Sequence, residues 1–241
     1  MPNQIRCYLG CIIALGSLAI VASLAQWQCS DHQRFTIYFL LALLAGALKV
    51  RLPGMTGTYS LTFLFVLIGV EDLTLAETLL IACSSMIVQS IWRAAERPRA
   101  VQVTFNVAAV AISVAIAFPI ARSPQIHPFA GDVVVRLSLA AVVYYVTNTL
   151  VVSGILALVE AKPLKNIWFQ WLRWSFRYYL IGVATAIAFV ASSRTVGWTL
   201  SLIVLPVMYV EYLWFHVSIR SQQPRPRGPC EAGAAKYLRS R

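Results

Sequence analysis

Six polar or ionisable side chains stand inside otherwise apolar stretches of this sequence, and each needs a reason because such groups are costly within a lipid bilayer. They are Gln89, Gln102, Asn106, Tyr144, Asn148 and Glu211. Most belong to pairs four residues apart, a spacing that puts both side chains on one face of a helix. The pairs are Ser85 with Gln89, Gln102 with Asn106, and Tyr144 with Asn148.

Two interpretations of these polar groups stay open. Converging pairs on three helices can form a polar ligand site in the interior of a bundle. They can equally form the hydrogen bonds that hold membrane helices together, each worth about 1 kcal/mol. Glu211 has the same two interpretations, as a ligand partner within the bundle or as a carboxylate paired with an arginine near the membrane surface.

No enzyme chemistry is indicated elsewhere in the chain. The histidines, His32, His127 and His216, lie far apart, and the five cysteines have no CxxC or Cys/His ligand spacing. The sequence has no G-x-S-x-G, P-loop, H-E-x-x-H or glycine-rich nucleotide motif. The sequence therefore predicts a protein that is not an enzyme, with no catalytic residues, no metal site and no cofactor.

The composition indicates which environment, water or lipid, surrounds the segments that carry these polar groups. The chain has 241 residues, of which 59% are hydrophobic and 12% are charged, with a mean hydropathy of +0.71. Soluble domains are about 45–50% apolar and about 25% charged. This excess predicts an all-α integral membrane protein, a polytopic bundle of about eight transmembrane helices whose first partner is the lipid bilayer.

Eight apolar segments are long enough, or nearly so, to cross the membrane, and two of them are short. Residues 1–216 would form the bundle, and residues 217–241 a disordered basic cytoplasmic tail broken by Pro224, Pro226 and Pro229. The predicted spans are Tyr8–Gln26, Phe35–Val50, Tyr59–Val70, Glu77–Trp92, Val103–Ala121, Val134–Leu158, Tyr178–Ser193 and Gly197–Phe215.

The net charge of +11 fits a membrane surface better than a nucleic acid, because the cations are dispersed among loops. With both termini cytoplasmic, 16 of the 20 Lys and Arg residues fall on the inner side. The four on the outer side are Arg34, Arg122, Arg136 and Arg194. This bias predicts an N-in/C-in multi-pass protein of the cell inner membrane.

Three local features complete the predicted architecture. The segment Lys49–Ser60 carries Pro53, Gly54 and Gly57, so it should form a tight turn or re-entry near the inner face. Residues 160–177 have apolar residues at helical spacing and cations on another face, which predicts a short interfacial helix on the inner leaflet. Gly46 should face lipid, where alanine would cost little.

Three blocks of sequence together resemble a known family. They are Lys49–Ala108 (KVRLPGMTGTYS to VTFNVA), Tyr144–Trp168 (YYVTNTLVVSGILALVEAKPLKNIW) and Phe176–Ala188 (FRYYLIGVATAIA). They resemble a MASE-type membrane-associated sensor domain, the N-terminal membrane region of bacterial HD-GYP and GGDEF signalling proteins. The resemblance implies a bacterial sensor bundle whose last span leads into a cytoplasmic output domain.

The chain departs from that family after its last predicted span, where SQQPRPRGPC replaces a continuous signalling helix. We therefore expect a stand-alone sensor or receptor-like domain that acts on a separate cytoplasmic signalling partner, with homo-oligomerisation left open. The alternative function is a membrane transport component, the substrate-binding subunit of a vitamin or other small-molecule uptake system. A truncated signalling protein is the third interpretation.

Overall fold

The computed structural model describes residues 2–28, 31–51, 58–94, 97–123 and 133–197, and four isolated positions (206, 209, 210 and 213) in the last predicted span. Seven α-helices and two short strands make up this described part of the chain. They are α1 Asn3–Leu24, α2 His32–Ala47, β1 Lys49–Arg51, β2 Thr58–Ser60, α3 Thr62–Asp72, α4 Leu75–Ile91, α5 Ala100–Ala121, α6 Val133–Glu160 and α7 Leu164–Val196.

The helices follow the apolar segments of the sequence, so the predicted all-α fold is confirmed in the described part of the chain, apart from the two short strands. Three of the described helices, α1, α5 and α6, are long and apolar enough to cross a membrane. The apolar helix α4 and the apolar part of α7, Tyr179–Thr195, are shorter. The eighth span and the predicted tail lie outside the described residues, apart from the four isolated positions.

The short helix α3 lies in the middle of the bundle. Nine consecutive residues, Thr62–Val70, are buried, so protein rather than lipid surrounds this helix on every face. It contacts α2, α4, α6 and α7. By contrast α1 lies at the periphery, with Leu15, Leu18 and Val21 mostly exposed, and it packs chiefly on α5.

The break at Lys49–Ser60 is a β1–β2 ribbon at one end of the bundle. Its two strands pair antiparallel, Lys49 opposite Ser60 and Arg51 opposite Thr58. The predicted tight turn is therefore a hairpin, and the tip that contains Pro53 and both glycines lies outside the described residues. β2 leads into α3 through a single residue, Leu61, so the ribbon and the central helix are one continuous element.

The separate interfacial helix predicted at 160–177 is wrong, because a single helix α7 runs from Leu164 to Val196. No proline or glycine interrupts the chain between Pro163 and Gly182, so nothing breaks the helix there. Part of the predicted apolar face packs within the bundle. Ile167 is buried, and the indole Nε1 of Trp168 donates to Thr149 Oγ1 at 3.2 Å.

Gly46 is also placed differently from the prediction, since it is buried against α4 rather than facing lipid. A Cβ atom at this position would lie 2.6 Å from the main-chain oxygen of Ser85. The absence of a side chain therefore lets α2 and α4 approach closely, as small residues do at helix interfaces in membranes.

Candidate functional site

Two acidic residues end the central helix, and the chain then turns directly into α4. Leu73 is extended, and Thr74 caps α4 in a reciprocal arrangement with Glu77, whose carboxylate accepts from the Thr74 amide at 2.8 Å. This tight connection fixes where α3 stops. It leaves the side chains of Glu71 and Asp72 at one end of the bundle, among the ends of four other helices.

Glu71 is the most enclosed carboxylate of this group, with a side chain only 9% exposed. Arg136, in the first turn of α6, binds it with two hydrogen bonds, Nη2 to Oε1 at 2.6 Å and Nε to Oε2 at 3.2 Å. Arg194, in the last turn of α7, pairs with the same Oε1. One carboxylate therefore joins α3 to both α6 and α7.

Asp72 holds the second side of the group. Arg34 of α2 lies 3.5 Å from its Oδ2, and the hydroxyl of Tyr38 donates to that oxygen at 3.3 Å. Arg34 also donates from Nη2 to the hydroxyl of Ser193 at 3.4 Å, which brings α7 to the same place. The ends of α2, α3 and α7 meet at this carboxylate.

Arg122 closes the end of α3 through the backbone. Its guanidinium donates to the carbonyl oxygens of Val70, Glu71 and Leu73 at 2.8, 2.8 and 2.9 Å. A cation is favoured there, because the C-terminus of a helix carries a partial negative charge. Burial lowers the pKa of the Arg122 guanidinium from its ordinary value, although the nearby Glu71 carboxylate acts in the opposite direction.

We name this group the Glu71–Asp72 cluster; it joins the ends of α2, α3, α5, α6 and α7. Its members are Glu71, Asp72, Arg34, Arg122, Arg136 and Arg194. From the sequence we placed all four arginines on the outer side of the membrane, but we interpreted each as a separate loop charge. The signal that could have revealed the cluster was two adjacent carboxylates at the end of a span, with four cations at other span ends on that face.

Gln89 connects α4 with the β1–β2 ribbon. The hydroxyl of Ser60 donates to Gln89 Oε1 at 2.6 Å, and Lys49 Nζ donates to the main-chain oxygen of Gln89 at 2.7 Å. Gln89 is buried and so is Ser60. A buried amide satisfied by the base of the ribbon explains one of the six polar residues as a structural contact.

The other predicted site residues have separate settings. Gln102 is exposed and caps α5, since its Oε1 accepts from the Arg99 amide at 3.0 Å. Asn106 is half-buried on α5. Glu211 lies outside the described residues.

Tyr144 and Asn148 do meet, at Tyr179 of α7. The ring centroids of the two tyrosines are 6.4 Å apart, and Asn148 Nδ2 donates to Tyr179 Oη at 3.4 Å. Phe63 of α3 packs on both rings, with centroids 5.2 Å from Tyr144 and 4.5 Å from Tyr179. A ligand-binding role for these residues stays a prediction.

In the part of the chain that the structure describes, no group of three or more His, Cys, Asp or Glu side chains could hold a metal ion. The arrangement at the Glu71–Asp72 cluster suits charge pairing, because it presents guanidinium groups around two carboxylates.

Comparison with known proteins identifies the family. The model of the MASE9 family matches residues 18–219, which is most of the chain. No curated protein matches the sequence, and no solved structure does. The match begins within α1 and covers α2 to α7, the β1–β2 ribbon and the Glu71–Asp72 cluster. The chain therefore belongs to MASE9, a family of membrane-associated sensor domains.

Proposed function

We propose that this protein is an integral sensor of the bacterial inner membrane, in which α3 carries a conformational signal between the Glu71–Asp72 cluster and the β1–β2 ribbon. The observation that supports this most is the setting of α3. It is buried over nine consecutive residues, and charged or polar contacts hold it at both ends. Because protein packs on every face of α3, a movement at one end would be transmitted along the helix to the other end.

The lengths of the elements suit such a role. At 1.5 Å per residue, the 11 residues of α3 span about 16 Å, roughly half of the hydrocarbon thickness. The three residues of β2 add about 10 Å of extended chain. Non-helical backbone is tolerated at membrane depth only where protein encloses it, and Ser60 and Leu61 are buried.

The orientation belongs to the same proposal. Both termini are cytoplasmic, and eight helices cross the membrane. The Glu71–Asp72 cluster then faces outward and the ribbon faces the cytoplasm, as the excess of Lys and Arg on the ribbon side favours. The signal would pass to a separate cytoplasmic partner as a small helix shift, one of the usual switching movements in proteins.

Hydrogen exchange tests the coupling that this function needs. We expect Glu71→Gln to speed amide exchange in Lys49–Arg51 and Thr58–Ser60 by about fivefold or more, the lower end of coupling between distant sites. Peripheral α1 should exchange at its original rate, because it supplies no residue to the cluster and packs chiefly on α5. Exchange would be followed by mass spectrometry on the purified protein in lipid nanodiscs.

The matched control is Glu160→Gln, which removes a carboxylate whose ion pair with Lys162 is exposed. It should leave the ribbon unchanged. Equal acceleration in every helix would mean that Glu71→Gln only loosens the whole bundle, and unchanged exchange at the ribbon would mean that α3 carries no signal. Copurification with a membrane ATPase would favour the transport alternative.

A further inference from the structure

The charges of the Glu71–Asp72 cluster do not balance among the described residues. Four guanidinium groups, those of Arg34, Arg122, Arg136 and Arg194, lie around the carboxylates of Glu71 and Asp72. Backbone carbonyls hold Arg122 but do not cancel its charge. Asp31 adds a third carboxylate at this end, since its Oδ1 accepts from the Arg34 amide at 3.0 Å. The described charges at this end of the bundle therefore remain positive, which favours an anion.

The positive charge is accessible at Arg194, and the side chain of Arg34 is 25% exposed. The side chain of Arg194 is 52% exposed, although its Nη2 pairs with Glu71. Arg34 has a buried Nε atom without a hydrogen-bond partner in the described part of the chain. The hydroxyl of Ser193 lies next to Arg194 in the sequence and 3.4 Å from Arg34 Nη2. The guanidinium of Arg34 and the hydroxyl of Ser193 are therefore in contact, and Arg194 is the next residue of α7.

We propose that Arg194 and Arg34, with the hydroxyl of Ser193, bind a phosphate group. Guanidinium groups present planar pairs of N–H donors that match phosphate oxygens, and such charge-assisted hydrogen bonds are about twice as strong as neutral ones. The phosphate would be either the headgroup of an anionic phospholipid or free inorganic phosphate, since both present the same oxygens. Because Glu71 already occupies one face of Arg194, the phosphate binds its exposed edge.

This site goes beyond the proposed signalling role, because phosphate binding can be measured without any signalling readout. A sensor that failed the exchange test could still bind phosphate, and a working α3 relay could lack this site. Each of the two proposals is therefore tested by its own measurement.

Phosphate-dependent thermal stability is the test. The protein in neutral detergent, and again in phosphatidylcholine nanodiscs, is titrated with inorganic phosphate against sodium chloride of equal ionic strength. A second arm compares phosphatidylglycerol nanodiscs with phosphatidylcholine nanodiscs. We expect a saturable rise in melting temperature in at least one arm. A rise with inorganic phosphate identifies a soluble ligand, and a rise with phosphatidylglycerol alone identifies a lipid headgroup.

Variants show whether the stabilisation comes from this site. Arg194→Gln should weaken apparent phosphate affinity about tenfold or more, the loss of one charge-assisted contact. Arg194→Lys should lie between it and the parent, because it keeps the charge but loses the planar donors. Arg6→Gln, at an exposed arginine on α1, is the control and should bind as the parent does.

Ser193→Ala keeps every charge and should reduce the affinity modestly, which preserves the test if Arg194→Gln does not fold. Two results would overturn the proposal. One is an unchanged melting temperature in both arms. The other is an equal shift in the parent and in the variants of Arg194 and Ser193.

Discussion

Replacement of Glu71 by glutamine is expected to lower the free energy of unfolding by about 2–4 kcal/mol, because removing one partner of an enclosed ion pair leaves charge uncompensated. The side chain of Glu71 is 9% exposed, and it pairs with both Arg136 and Arg194. Glutamine keeps the shape but loses the charge, so two guanidinium groups are left without their carboxylate. The expected loss lies towards the lower end of the usual range because Arg194 can turn to solvent. Unfolding by denaturant in detergent, followed by circular dichroism, measures it.

The Lys162–Glu160 pair provides the comparison, since its side chains are 63% and 42% exposed. Glu160→Gln should cost less than about 0.5 kcal/mol, as is usual for exposed ion pairs. Similar small losses for both variants would show that the Glu71–Asp72 cluster contributes little to holding the helix ends together.

Gly46→Ala is expected to destabilise the protein by about 1–3 kcal/mol, the usual cost of overpacking a well-packed interior. The added Cβ would lie 2.6 Å from the main-chain oxygen of Ser85, and neither backbone can move without separating α2 from α4. On an exposed helix face the same substitution would stabilise, because alanine is the better helix former. A loss of stability would therefore show that Gly46 is packed against α4, and a gain would show that it is exposed.

Gly10→Ala is the matched control, because Gly10 is also helical and a Cβ there would meet nothing within 4 Å. It should be neutral or stabilise by up to about 1 kcal/mol. Melting temperatures of both variants in one detergent suffice. If the Gly46→Ala protein is at least as stable as the parent, then Gly46 faces lipid rather than α4.

The helices themselves were predictable from the sequence, because apolar segments of this length have few other stable forms in lipid. The predicted spans Val103–Ala121 and Val134–Leu158 fall within α5 and α6, which begin and end at most three residues away. The break at Lys49–Ser60 was predictable for a similar reason, since proline and glycine oppose a continuous helix.

Relations between helices were harder to predict, since they depend on which faces meet. The amphipathic pattern at 160–177 could equally face lipid headgroups or a neighbouring helix, and Trp168 packs on α6. Nothing in the sequence around Gly46 indicated that it lies close to Ser85, which is nearly forty residues further along the chain. The Glu71–Asp72 cluster required four arginines from four segments to meet at one place, which no local pattern encodes.

The proposed orientation of α3 is tested most directly by determining on which side of the membrane each of its two ends lies. In a variant without native cysteines, single cysteines would replace Gln28 and His32 near the cluster end, or Arg97 and Lys165 at the ribbon end; all four positions are exposed. A membrane-impermeant maleimide would be applied to right-side-out and to inverted vesicles. We predict that cysteines at positions 28 and 32 react only in right-side-out vesicles, and those at 97 and 165 only in inverted ones. Reaction of all four from the same side would contradict it, because the cluster and the ribbon would then share one face of the membrane.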